Sequence, residues 1–335
     1  MVELVTVENF VRAESDRMFA AIGSDTGGIN GWKHYRDPSP LDHQNVIRLN
    51  RDTLYSASIV DAREGFTLTL PDTSGRYMSA MIINQDHYIP AVWHGAGEHS
   101  LTRAEAGSDY VLIGIRTLVD PADPDDVATV NALQDQITLR ASSAIPFTRD
   151  VVDEATLDET RAALLTLAKG LPNYAGAFGA ERDVDPIRHL IGSASAWGGL
   201  PETEAFYINV EPGLPVGDYE LTVGDVPVDA FWSISVYGAT GYFEPNDRGV
   251  YNLSSVTAAH NPDGTTTIRF GAGDAPNTIP ITDGWNYLIR LYRPRPEVIN
   301  GTWTFPAIER RPDSGAPPDR LESAQEITRM DQSAR

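Results

Sequence analysis

The chain contains no cysteine. Disulfides, thiolate nucleophiles and cysteine-ligated zinc or iron–sulfur centres are therefore excluded. Lysine is nearly absent: Lys33 and Lys169 stand alone, and 26 basic residues face 47 acidic ones for a net charge of −21. Binding a phosphate backbone needs clustered Lys and Arg, so neither nucleic acid nor an anionic membrane surface is an expected partner. The acidity reads as solubility or a salty habitat, or more sharply as steering of a cationic ligand. No long apolar run exists, so no transmembrane helix is expected. The first ten residues carry Glu3 and Glu8 but no basic residue, unlike a signal peptide. The cytoplasm is the expected location, with a mature exported form as the alternative. Also missing are the Gly-x-Ser-x-Gly elbow, the P-loop and the dinucleotide fingerprint. An α/β-hydrolase has no support, and no cofactor is predicted.

What is present is turn chemistry and strand patterning. The 335 residues suffice for two domains, and 28 Gly with 23 Pro favour β architecture over a helical bundle. An amphipathic helix is expected over 7–22, and short strands follow Asn50 up to about 117. Helices are expected over 123–139, 157–169 and 187–195, and strands resume from Tyr207, with Asn261-Pro-Asp-Gly264 as a strong turn. The expectation is a mainly β (α+β overall) fold, with two β-sandwich, jelly-roll-like domains joined by a helical connector. The segments are an N-terminal helix and loop (1–44), a β domain (45–120), the connector (121–200), a second sandwich (201–309) and a polar tail (310–335).

Three stretches could carry chemistry. Asn50-Arg-Asp-Thr-Leu-Tyr-Ser56 packs an amide, a guanidinium, a carboxylate and three hydroxyls into one short segment. Asp52 could act as a general base, Arg48 or Arg51 could pair with an anion, and Tyr55 could donate a proton. The competing reading is an Asx-type turn in which Asn50 and Asp52 bond local backbone. The second stretch holds His87, His94 and His99 with Asp86 and Glu98. Such ligands suit zinc, iron, manganese or nickel, or the histidines serve without metal, or they are structural. The third is Phe231-Trp-Ser-Ile-Ser-Val-Tyr237. A period-two strand puts Trp232 and Tyr237 on opposite faces unless a bulge intervenes, as ligand platforms or as core.

The 231–237 strand, Asn246, Asn261–Gly264, Trp285-Asn-Tyr-Leu-Ile-Arg-Leu-Tyr-Arg-Pro294 and Gly301-Thr-Trp-Thr-Phe-Pro306 together resemble the bacterial family DUF1214. Asn50–Ser56, with Pro71-Asp72 and Gly75-Arg-Tyr77 after it, resembles the companion family DUF1254. The resemblance covers most of 40–307 in the family's usual order. It implies two β-sandwich, jelly-roll-like domains with a helical segment between them, and no settled activity. Many relatives carry Asn-Trp-Leu-Pro where this chain has Asn277-Thr-Ile-Pro280, and many begin with an export signal.

The first functional expectation is a hydrolase or lyase acting on a small polar or carbohydrate-like molecule in a cleft between the β domains. Asp52, His87, His94 and Tyr55 would be catalytic, while Asn50, Arg48, Trp232, Tyr237 and Arg290 would hold substrate. The alternatives are a non-catalytic small-molecule-binding or scaffold protein, and a histidine-dependent enzyme using a divalent metal. A homo-oligomer is compatible with all three.

Overall fold

The computed structural model describes residues 2–44 and 47–311. Most of the polar-tail expectation (312–335) and part of the lead-in to Asn50 (45–46) lie outside the described residues. The fold is mainly β with antiparallel sheets and several helices, and no closed barrel occurs among the described residues. No helix among them is long and apolar enough to cross a membrane.

The chain divides by contacts into two units that interleave in sequence. The first comprises Met1–Arg36, Leu54–Leu118 and Asp125–Glu202, and the second Asp37–Thr53, Val119–Pro124 and Thr203–Arg335. Asn50 and Asp52 thus belong with the C-terminal strands, whereas Tyr55 belongs with the N-terminal ones.

In the first unit a five-stranded sheet runs in the order Lys33–His34, Thr53–Asp61, Tyr110–Leu118, Met78–Asn84, Ala91–His94. A three-stranded sheet runs Gly97–Leu101, Phe66–Leu70, Thr138–Ala141. Alternation in Phe66–Leu70 buries Phe66, Leu68 and Leu70 and leaves Thr67 and Thr69 half-exposed. These residues share one core with Met78, Ala80, Ile82, Val111, Ile113 and Ile115 of the larger sheet. Helices Phe10–Asp25, Glu154–Ala168 and Pro186–Ser195 bury a separate apolar cluster that includes Phe10, Leu157, Leu164 and Ile191. Asp153 and Asp185 cap the latter two through their side chains, and Pro186 takes the first position of the last helix, where no N–H is needed. The helices Phe10–Asp25 and Glu154–Ala168 are offset from the expected 7–22 and 157–169, and one segment changes type. The helix after Pro124 stops at Gln134, and Thr138–Ala141 forms a strand. Thr67–Leu68 pairing with Leu139–Arg140 outweighs the helical period there.

The second unit is a sandwich of two four-stranded sheets. One runs Asn252–Ser254, Trp232–Tyr237, Asn286–Tyr292, Ala205–Val210, antiparallel throughout. The other runs Thr278–Ile279, Thr266–Phe270, Tyr219–Val223, Glu309–Arg310, with its first pair parallel. Trp232, Ile234, Val236, Tyr287, Ile289 and Leu291 point into the shared core with Tyr219, Leu221, Ile268 and Phe270. The residues between them, Ser233, Ser235, Tyr237, Asn286, Leu288, Arg290 and Tyr292, are also buried. Period two places these on the opposite face, so the sheet has an apolar side and a buried polar side. Segment 37–53 covers the polar side: Leu41 and Leu49 pack on Tyr237, Phe243, Tyr251 and Leu288.

Candidate functional site

On that covered polar face, Asp52 and Arg290 are 1% and 2% exposed. A β-turn-like local bond sets the entry: the Asp52 amide donates to Asn50 Oδ1 at 2.8 Å, as an Asx turn does. The Asn50 amide group donates onward to Tyr292 Oη at 2.9 Å. This delivers the Asp52 carboxylate to two strands. Ser233 Oγ donates to Oδ2 at 2.5 Å and Asn252 Nδ2 to Oδ1 at 2.7 Å. Arg290 Nη1 lies 3.8 Å from Oδ2. Its remaining reach is used on neutral acceptors: Ser235 Oγ at 2.8 Å, the carbonyls of Arg48 and Leu49 at 2.9 and 3.1 Å, and Tyr237 Oη at 2.9 Å. Tyr237 Oη in turn donates to the Leu49 carbonyl at 2.7 Å.

Burial raises the Asp52 carboxyl above the ordinary carboxylate range, and Arg290, Ser233 and Asn252 offset part of that rise. Burial likewise raises the Tyr237 phenol. Arg290 stays a cation. Asp52, Arg290, Tyr237 and Asn50 each have a partner within the unit, so the network holds the Asn50–Asp52 turn against the sheet.

The other candidates of this unit separate around the network. Arg48 sits at φ 56°, and its guanidinium bonds Asn209 and, at 3.0 Å, Glu211. Trp232 points the other way, into the sandwich core edge-on to Phe305. It does not join Tyr237. The tyrosine instead borders a small recess with Gly238, Glu244, Asn246, Tyr251 and Thr282, whose free volume of about 20 Å³ takes one water-sized group. The Glu244 side chain lies directly on Gly238, since a Cβ there would meet its Cγ and Oε1 at 2.5 Å.

The remaining candidates lie in the first unit. His87 is fully buried at φ 60°. Its Nε2 accepts the Gly198 amide at 2.9 Å, and its Nδ1 is 2.8 Å from Ser193 Oγ, which itself donates to the His189 carbonyl at 2.8 Å. That chain of donors assigns the proton to Nδ1. Burial, with neighbouring His189, pushes the imidazole down to about 3, which favours a neutral ring with both nitrogens engaged. His94 Nδ1 lies 3.3 Å from the Met78 carbonyl, and His99 stacks on Trp93 at 5.2 Å. The Tyr55 carbonyl accepts from the Tyr35 amide and from Gln134, and Arg116 lies 5.6 Å from its ring centre. Among the described residues no group of three or more His, Asp or Glu is arranged to hold a metal ion.

Sequence reasoning brought Asp52, Asn50, Tyr237 and Arg290 forward, and they meet in one network. It missed Ser233, Ser235 and Asn252 as the groups that receive Asp52 and Arg290, and Glu244, Asn246 and Tyr251 as recess walls. The usable signal was an Arg in an otherwise apolar strand opposite a Ser-x-Ser strand. A charge buried there requires partners.

Residues 29–89 match the family model described as protein of unknown function DUF1254, and residues 214–296 the one described as protein of unknown function DUF1214. No curated protein matches the chain. Among solved structures, the VPA0106 protein from Vibrio parahaemolyticus is similar at a TM-score of 0.70 and 17% identity, over 90% of this chain and 96% of that one. At that identity the likeness is one of fold. An uncharacterised protein from Burkholderia cenocepacia matches at a TM-score of 0.48 and 12% identity, over 84% of each chain.

Proposed function

We propose that this DUF1254–DUF1214 protein is a small-molecule-binding protein, with the recess beside Tyr237 and Tyr251 receiving part of a polar or carbohydrate-like ligand. One observation carries the reading. The acid and cation that would do chemistry, Asp52 and Arg290, are buried and fully engaged with neighbouring protein groups. A general base needs hydrogen-bond reach to the proton it removes, and here that reach is taken up by Ser233 and Asn252. The recess differs in having an exposed carboxylate, Glu244, beside the edges of the Tyr237 and Tyr251 rings. Aromatic walls with a few polar groups suit a ligand with an apolar face and hydroxyl edges. Its size admits a terminal group such as a hydroxymethyl or ammonium, with the rest of the ligand lying outside.

The test is a thermal-shift screen of sugars, polyols and hydroxyaromatic compounds against the full chain, with product analysis of every hit. Gly238→Ala displaces the Glu244 side chain, which lines the recess. Its Cβ meets a flexible side chain, so the variant should stay folded while losing the hits at least about tenfold in affinity. Turnover of a hit that disappears in a folded Asp52→Asn variant would overturn this reading and restore a hydrolase or lyase.

A further inference from the structure

Arg51, between Asn50 and Asp52, is a charged member of the opening motif that the network leaves aside. In this strongly acidic chain most buried or half-buried arginines find a carboxylate: Arg48 pairs with Glu211, Arg63 with Asp61, Arg76 with Asp126, Arg290 with Asp52. Arg51 is half-buried, and among the described residues its electrostatic neighbour is Tyr251. Its guanidinium carbon lies 5.8 Å from the Tyr251 ring centre. Nη1 donates to the Ser39 carbonyl. Nε is buried and has no hydrogen-bond partner. Burial without a counter-charge holds the guanidinium below its ordinary value. A partly desolvated cation with an unused donor is costly, and among the described residues no carboxylate forms an ion pair with it.

We infer that Arg51 is an anion site, and that it receives the carboxylate of a small organic acid whose apolar part packs on Tyr251. The guanidinium fork matches a carboxylate. One half-buried positive charge balances a monoanion, whereas a phosphate dianion would bring a second charge to be desolvated with nothing to meet it. The aromatic neighbour favours an aromatic or otherwise apolar acid over acetate. This site shares Tyr251 with the recess but does not depend on the recess holding a ligand.

The experiment observes the arginine Nε–Hε resonances of the 15N-labelled full chain, with Arg51 assigned by the signal that Arg51→Gln removes. Sodium benzoate, acetate and phosphate are titrated at matched ionic strength, with sodium chloride as reference. The expected result is a saturable shift of the Arg51 signal with benzoate, about threefold or more tighter than with acetate, and weaker still with phosphate. Arg51→Lys keeps the charge but loses the fork, and should weaken benzoate about tenfold when both proteins are compared by ligand-induced thermal shift. Gly238→Ala should leave the benzoate shift in place, which separates failure here from failure of the recess reading. An Arg51 signal that moves no further than in chloride overturns the inference, and so does phosphate binding tighter than benzoate.

Discussion

Removing Arg290 tests whether Asp52 is a structural or a chemical acid. Arg290→Met deletes the donors to Ser235 Oγ, to the Arg48 and Leu49 carbonyls and to Tyr237 Oη, and removes the cation 3.8 Å from Asp52. Leu49 keeps its bond from Tyr237, but the Arg48 carbonyl and the carboxylate lose what Arg290 supplied. Stranding one partner of a buried pair costs about 3–5 kcal/mol. Asp52→Asn strands the other partner less severely, because Arg290 retains its neutral acceptors. Its expected cost is about 1–3 kcal/mol. The decisive quantity is Asp52→Asn in the Arg290→Met background. There the carboxylate is a buried charge without a cation, so neutralising it should be neutral or stabilising, a coupling of about 1–3 kcal/mol. The pH dependence has a defined sign. Burial raises the folded Asp52 value, so the folded protein binds this proton more tightly than the unfolded chain. The group's favourable contribution is full below pH about 4 and is lost as pH rises through the raised value. The Arg290→Met deficit should therefore shrink on acidification. Urea unfolding of the full chain reports all four proteins through the buried Trp232 and Trp285. Equal costs of Asp52→Asn in both backgrounds would refute the network argument. So would a wild-type stability gain on Asp52→Asn, the pattern of a residue held in place for catalysis.

Two further outcomes follow from single residues. The folded His87 value near 3 lies below its unfolded value of about 6.5, so stability should fall as pH drops below about 6.5, by up to about 1.4 kcal/mol per unit. His87→Asn, which tolerates the left-handed φ of 60°, should show a flatter acid limb in urea unfolding from pH 7 to 5, and parallel limbs would contradict the assignment. Ser233→Ala removes the 2.5 Å donor to Asp52 and should cost about 1.5–3 kcal/mol. A cost near zero by the same measurement would mean that the carboxylate does not need this hydroxyl.

Part of the site could be read from local pattern. The polar density of Asn50–Ser56 announces an ordered turn, and the Asn50–Asp52 bond is such a turn. Alternation in Trp232–Tyr237 and Asn286–Tyr292 separates core from opposite face, and Trp232 and Tyr237 do lie on different sides. The sequence leaves His87 open as catalyst, metal ligand or structural group. Imidazole chemistry alone cannot choose among these, because the choice depends on the Gly198 amide and Ser193 hydroxyl, more than a hundred residues away. The strand 138–141 was hidden because pairing with Phe66–Thr69 supplies a partner that no local period records.

Composition and period by themselves determined the mainly β class, the absence of thiol chemistry, and that Arg290 sits in a strand otherwise built for burial. These are properties of single residues and of spacings of two or about four. Which residues would satisfy that charge was decided by the tertiary structure alone. Asp52 meets Ser233 and Asn252 across 181 and 200 residues, and a buried charge is indifferent to sequence distance. It is stable only where folding brings enough donors and acceptors to the same few ångströms. That requirement makes the Asn50–Asp52 turn part of the cover of a polar sheet face.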